Sequence, residues 1–237
     1  MKNTITLTIL FITSFTVAQK TVEATDIIKD IKNGKDISYH DAIVTGDLDF
    51  TYMEDKLADL PQKKKKKWWK NKGGNTVKNL IESKISFANC TFKDNVLAYV
   101  PDSENSGYTF VASFDNDAIF KGCTFERKAM FKYSKFNGNA SFEGTTFGDD
   151  STFKYSQFDN NVSFANAVFK ETATFKYTKF RDGVSFNQTD FQEDLNIKYT
   201  KVTGNFDIKG MKVAYEINSK YTKINGRGFN KYLLENR

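Results

Sequence analysis

Phenylalanine returns along this chain at alternating steps of five and six residues, through Phe120, Phe125, Phe131, Phe136, Phe142, Phe147, Phe153, Phe158, Phe164, Phe169, Phe175, Phe180, Phe186 and Phe191. A fixed period constrains architecture more than any single motif does, because each repeat must bury its apolar face against the next. Two positions ahead of every phenylalanine stands a small residue or valine, from Ala118, Cys123 and Ala129 to Val184 and Thr189. In an extended segment residues i−2 and i share one side, while i−3 and i−1 share the other. The inward side therefore reads small-then-Phe, and the outward side is mostly polar. A helix would need apolar steps of three and four. The chain is expected to run as very short extended segments joined by corners.

A longer period lies over the short one. The segments KYSKF (132–136), KYSQF (154–158), KYTKF (176–180), KYTKV (198–202) and KYTKI (220–224) fall 22 residues apart. The physical repeat is thus 22 residues with four sides, one turn of an all-β, four-sided parallel β-helix. Each turn would hydrogen-bond to the next at a rise of about 4.8 Å, with phenylalanines stacked in a dry interior. Burying one such ring stabilises by roughly 1.5–3 kcal/mol before ordering entropy is subtracted. With the small residue at i−2 and the large apolar residue at i matching over some fourteen consecutive units, the chain resembles pentapeptide-repeat proteins across about residues 35–224. It departs from them in using Phe where Leu is common and in its alternating sixth residue. The resemblance implies a right-handed coil. The best-known members imitate DNA with an acidic surface, a role that does not carry over to this chain.

The first 18 residues read as a signal peptide: Lys2, an apolar stretch through Phe11 and Phe15, then Thr16-Val17-Ala18. The expected location is outside the cytoplasm, periplasmic or extracellular, with no transmembrane segment in the mature chain. Residues 19–34 are expected to form an N-terminal cap, with Ile27, Ile28 and Ile31 on one helical face and Gly34 as the stop. The small/large pattern starts at Ile37/Tyr39 and breaks twice, at about 51–76 and 99–109. Counting sides through both breaks places the two insertions at one corner, between the third and fourth sides of successive turns. Insertions on a solenoid tend to gather on the working face. The tail, 225–237, reads as a C-terminal cap, with homodimer contact as a second reading.

Charge is local. The net charge is +6; removing the leader leaves 34 basic against 29 acidic residues. Lys63, Lys64, Lys65, Lys66, Lys67, Lys70 and Lys72 alone exceed that surplus, so a uniformly basic nucleic-acid-binding surface is not expected. With Trp68 and Trp69 they make a Lys/Trp loop suited to an anionic lipid, lipopolysaccharide or polysaccharide surface. The competing reading is a cover whose tryptophans lie on an outer patch of Val77, Leu80, Phe110 and Val111. A second candidate is the outward face of the fourth side, with Tyr133, Tyr155, Tyr177, Tyr199 and Tyr221 beside Lys135, Lys179, Lys201 and Lys223. Cys90 and Cys123 fall at the same inward small position of consecutive turns once the insertion is subtracted, which suggests a disulfide, two buried thiols being the alternative.

Enzyme chemistry finds little support. His40 is the only histidine and sits next to the N-terminal cap, so no Ser-His-Asp, Cys-His or multi-histidine metal site is expected. No cofactor is expected. The chain reads as a non-enzymatic exported interaction or envelope-structural solenoid; the alternative is a carbohydrate-active or polymer-binding, enzyme-like β-helix, which a deep groove lined by carboxylates would favour.

Overall fold

Two-residue strands separated by corners stack turn on turn into four parallel sheets, seen in a computed structural model that describes residues 19–60, 75–102 and 107–235. Side one starts at Ile37–His40, side two at Ala42–Thr45, side three at Leu48–Asp49 and side four at Thr76–Ile81. Later turns repeat that order, so the architecture is a four-sided parallel β-helix. Register pairs residues 22 apart: Phe125 with Phe147 on side two, Ala140 with Val162 on side one, Ser151 with Ala173 on side three.

That register fixes the interior. Phe87, Phe120, Phe142, Phe164 and Phe186 form one column with centroids 5.1–5.6 Å apart and near-parallel planes. Phe92, Phe125, Phe147, Phe169 and Phe191 form a second, at 4.4–5.2 Å. Across the interior the rings meet edge to face, as Phe153 does with Phe142 at 76° and with Phe164 at 80°. Vertical spacing comes from the strand repeat, while the crosswise contacts use the favourable edge-to-face geometry of aromatic quadrupoles.

Hydroxyls in the small inward positions are paired. Ser156 donates to the carbonyl of Phe131 at 2.5 Å, Thr178 to that of Phe153 at 2.6 Å, and Thr200 to that of Phe175 at 2.6 Å. Ser134 occupies the same position and has no partner. The equivalent carbonyl one turn below belongs to Ala98 and takes the Ala112 N–H, just as the Phe131 carbonyl takes the Ser134 N–H.

Both interruptions open at the corner between sides three and four. The first contains a one-turn helix, α2 (Met53–Leu57). The second is not simply a loop: Tyr99–Asp102 pairs antiparallel with Tyr108–Val111, and the strand Tyr108–Phe114 runs on beside Thr76–Ile81 to lengthen side four. The expected outer patch is therefore mostly closed, with Phe110 and Val111 buried and Leu80 exposed.

At the N-terminus the cap is a strand followed by a helix. Lys20–Glu23 adds to side two beside Ala42–Thr45, and α1 (Ala24–Lys32) buries Ala24, Ile27 and Ile31 over the first turn. Gly34, at φ 73, ends the helix in the left-handed region where glycine has no Cβ penalty. At the other end Arg227–Gly228 folds back antiparallel on Lys223–Ile224, and α3 (Phe229–Glu235) buries Phe229. The Tyr232 hydroxyl donates to the Phe206 carbonyl at 3.1 Å.

Candidate functional site

The corner between sides three and four carries the most unusual backbone in the molecule. Tyr133, Tyr155, Tyr177, Tyr199 and Tyr221 all sit there with φ between 61 and 64. The sequence placed them on the flat outward face of side four; in the structure each lies in the turn before that side, because the strands are only two residues long. A non-glycine residue in this left-handed region is uncommon, and for a bulky one it costs about 1–2 kcal/mol. Here it recurs in five successive turns.

Ring contacts offset part of that strain. The five rings stack with centroids 4.6–4.8 Å apart, and the first four are within 6° of parallel at each step. Lys132, Lys154, Lys176, Lys198 and Lys220 each lie 5.1–5.5 Å from the centroid of the adjoining tyrosine. Stacking contributes about 0.5–1.5 kcal/mol per pair and an exposed cation–π contact about 0.5–1 kcal/mol. Because the ring faces cover one another, the inner rungs present their edges and hydroxyls outward. Burial, and then the neighbouring Tyr199 and Tyr155, raise the pKa of Tyr177.

Beside the tyrosines, on side four itself, run Lys135, Gln157, Lys179, Lys201 and Lys223. Lys135 pairs with Asp159 at 3.0 Å, and Arg181 reaches the same carboxylate at 3.3 Å. Lys179, Lys201, Lys223, Lys154, Lys176, Lys198 and Lys220 make no ion pair among the described residues. Lysines about 5 Å apart repel by just under 1 kcal/mol in water.

Sequence reasoning missed one member of the row. Tyr52 has φ 54 and occupies the equivalent position in the first turn, with Lys32 and Lys56 at 4.9 and 5.8 Å from its ring. In the second turn the chain departs into the hairpin, and the Tyr99 ring leans on Tyr133 at 5.8 Å instead. The other candidate residues, Lys63–Lys67, Trp68, Trp69, Lys70 and Lys72, lie outside the described residues, as does the proposed leader, 1–18.

Residues 112–157 and 153–201 match the family model described as pentapeptide repeats (9 copies). Over those residues the chain carries pentapeptide repeats. No curated protein and no solved structure matches it.

Within this pentapeptide-repeat coil Cys90 and Cys123 do occupy equivalent positions of adjacent turns, as the pairing of Thr91 with Thr124 shows. They are free thiols rather than a disulfide. Their side chains point inward in parallel, whereas a disulfide needs a Cβ–S–S–Cβ dihedral of about 85–100°. Cys90 Sγ donates to the Ala88 carbonyl at 3.4 Å, and Cys123 Sγ lies 3.5 Å from the carbonyls of Phe87 and Lys121. The hydrogen bond with Cys90, and then burial, push the Cys123 thiol up, which keeps it protonated.

A cavity of about 520 Å³ between α1 and α2 is lined by Asp47, Asp49, Glu54 and Asp55, the kind of carboxylate groove an enzyme-like reading requires. Most of these carboxylates are committed to the fold. Asp49 accepts from Thr51 N–H and Oγ1, Asp47 accepts from the Asn95 backbone and side chain, and Asp55 pairs with Lys32. No group of three or more His, Cys, Asp or Glu is placed to hold a metal among the described residues. No described helix is long and apolar enough to cross a membrane.

Proposed function

We propose that this chain is a non-enzymatic interaction solenoid, exported from the cytoplasm, whose Tyr/Lys corner holds an anionic partner extended along the coil. The observation that carries this reading is the row of left-handed tyrosines flanked by lysines that, Lys135 apart, make no ion pair among the described residues. The backbone disfavours tyrosine at that turn, and outliers of this kind concentrate at functional sites. Neutral phenol donors beside ammonium groups suit carboxylate, phosphate or sulfate oxygens. Lipopolysaccharide, anionic lipid and acidic polysaccharide are the envelope chemistries with such groups, and the Lys/Trp segment 63–72 would add a second contact to the same surface.

The test compares the full chain with a Lys154→Ser, Lys176→Ser, Lys198→Ser variant for binding to polygalacturonate, to lipopolysaccharide and to vesicles rich in phosphatidylglycerol. Each lysine near an anionic surface contributes roughly 1 kcal/mol, so the triple change should weaken binding about a hundredfold. Salt should weaken the wild type steeply, because exposed charges are screened within about 10 Å at 0.1 M. Equal binding by both proteins to all three probes would remove the corner from the contact.

A further inference from the structure

We infer that the Tyr/Lys corner also takes a second copy of this chain, docking on that copy's acidic corner so that solenoids line up side by side. The inference rests on reading the Tyr/Lys corner as an anion-binding surface. The corner between sides two and three carries Asp149, Asp150, Glu171, Glu193, Asp194 and Glu216, and over the same four turns only Lys170 opposes them. None of the six makes an ion pair among the described residues. The acidic and basic corners flank the two edges of side three, whose strands pair Ser151 with Ala173, Ala173 with Leu195 and Leu195 with Ile217.

Spacing selects this partner. The tyrosine rungs repeat every 4.6–4.8 Å. An extended peptide presents same-face side chains about 6.6 Å apart and would fall out of step within two or three rungs. A second copy carries acids on the strand repeat of its own turns, so its charges stay in step along the whole column. For third sides set edge to edge, symmetry selects the arrangement. A two-fold axis setting the third sides edge to edge would bring lysine against lysine, because an isologous contact uses one patch twice. A sideways shift with parallel axes instead brings Asp149, Glu171 and Glu193 to Lys154, Lys176 and Lys198. Such a contact is heterologous and does not close, so it grows as an open row.

The experiment is sedimentation of the full chain without added polymer. At about 0.01 M salt, where screening reaches only beyond about 30 Å, the mean mass should at least double with rising concentration. At 1 M salt it should return to the monomer. Two variants cap the row from opposite sides: Lys154→Ser, Lys176→Ser, Lys198→Ser, Lys220→Ser, and Asp149→Asn, Glu171→Gln, Glu193→Gln, Glu216→Gln. Each alone should be monomeric, and an equimolar mixture should give dimers and nothing larger. A wild type that stays monomeric at low salt, or a mixture that stays monomeric, overturns the inference; so does continued growth by either variant alone. A monomer that still binds polygalacturonate through the corner leaves the anion-binding reading intact, whereas loss of both removes the two together.

Discussion

At the corner between sides one and two, the left-handed position is held by Gly122, Gly144, Asn166, Gln188 and Gly210, with φ from 54 to 69. Eleven residues further on, half a turn away, the corner between sides three and four holds Tyr133, Tyr155, Tyr177, Tyr199 and Tyr221 at φ from 61 to 64. The backbone requirement is the same at both. The first corner mostly meets it with residues that reach this region readily, glycine above all. The second meets it with an aromatic residue that does not, and recovers the difference through stacked rings and lysines. Backbone need therefore explains the first corner and fails to explain the second, which is why the second reads as a surface with work to do.

The broadest challenge to that comparison is that the corners, rather than the interior beneath them, hold the coil together. Phe153 has near-parallel partners above and below at 5.1–5.2 Å and edge contacts to Phe142 and Phe164 across the interior. Phe153→Ala should lower unfolding free energy by about 3–5 kcal/mol in denaturant melts. A loss under about 1 kcal/mol would mean that the rings are not close-packed, and the corner contacts would then have to be counted as structural.

A sharper trial exchanges residues at the corners themselves. Gly144→Ala forces a Cβ into the left-handed region and should lose about 1–2 kcal/mol; the space itself is ample, with the nearest atoms at 3.7 Å. At Tyr177 both small replacements lose the stack, so only backbone preference separates them. Tyr177→Gly should therefore be more stable than Tyr177→Ala by about 1 kcal/mol, the reverse of the order in a strand or helix. If alanine proves the better replacement, the two corners do not share a conformation in solution.

The register of this interior was legible from the sequence because inward positions obey a strict rule: Phe131, Phe153 and Phe175 can lie only where the period puts them. The corner insertions could be counted for the same reason. The tyrosines were misplaced because alternation was extended one residue too far, into what is a turn. The signal that could have corrected this is the half-turn offset of 11 residues from Gly122, Gly144 and Gly210 to Tyr133, Tyr155 and Tyr221. Glycine announces a left-handed turn, whereas tyrosine hides one. The hairpin was hidden too, since Pro101 and the polar run Ser103-Glu104-Asn105-Ser106 look like loop chemistry in the sequence, although Pro101 sits in an antiparallel edge pair with Thr109.

The paired serines offer a smaller effect with an internal control. Ser156 donates to the Phe131 carbonyl, while Ser134, one turn earlier, has no partner among the described residues. Ser156→Ala should cost about 1 kcal/mol, and Ser134→Ala should be neutral or slightly stabilising because it removes an unpaired buried hydroxyl. Equal losses at the two positions would show that Ser134 finds a partner.

The smallest expected effect isolates the tyrosine hydroxyls from the rings. Tyr177→Phe keeps the stack and the Lys176 contact, so stability near neutral pH should be unchanged. At high pH the two proteins should diverge. The Tyr177 pKa is raised in the folded chain, by burial first and then by Tyr199 and Tyr155. Above the ordinary phenol value of about 10 the unfolded chain therefore loses this proton more readily than the folded one. The native state then binds more protons, and stability falls as pH rises from about 10 through the raised folded value. Removing the hydroxyl removes that contribution, so the melting temperature of Tyr177→Phe should fall less than that of the wild type across the same window. Identical alkaline slopes would mean that the Tyr177 phenol stands free of its neighbours. The tyrosine corner would then be five separate rings rather than one continuous row of donors, and it would lose its distinction from the glycine corner as a surface.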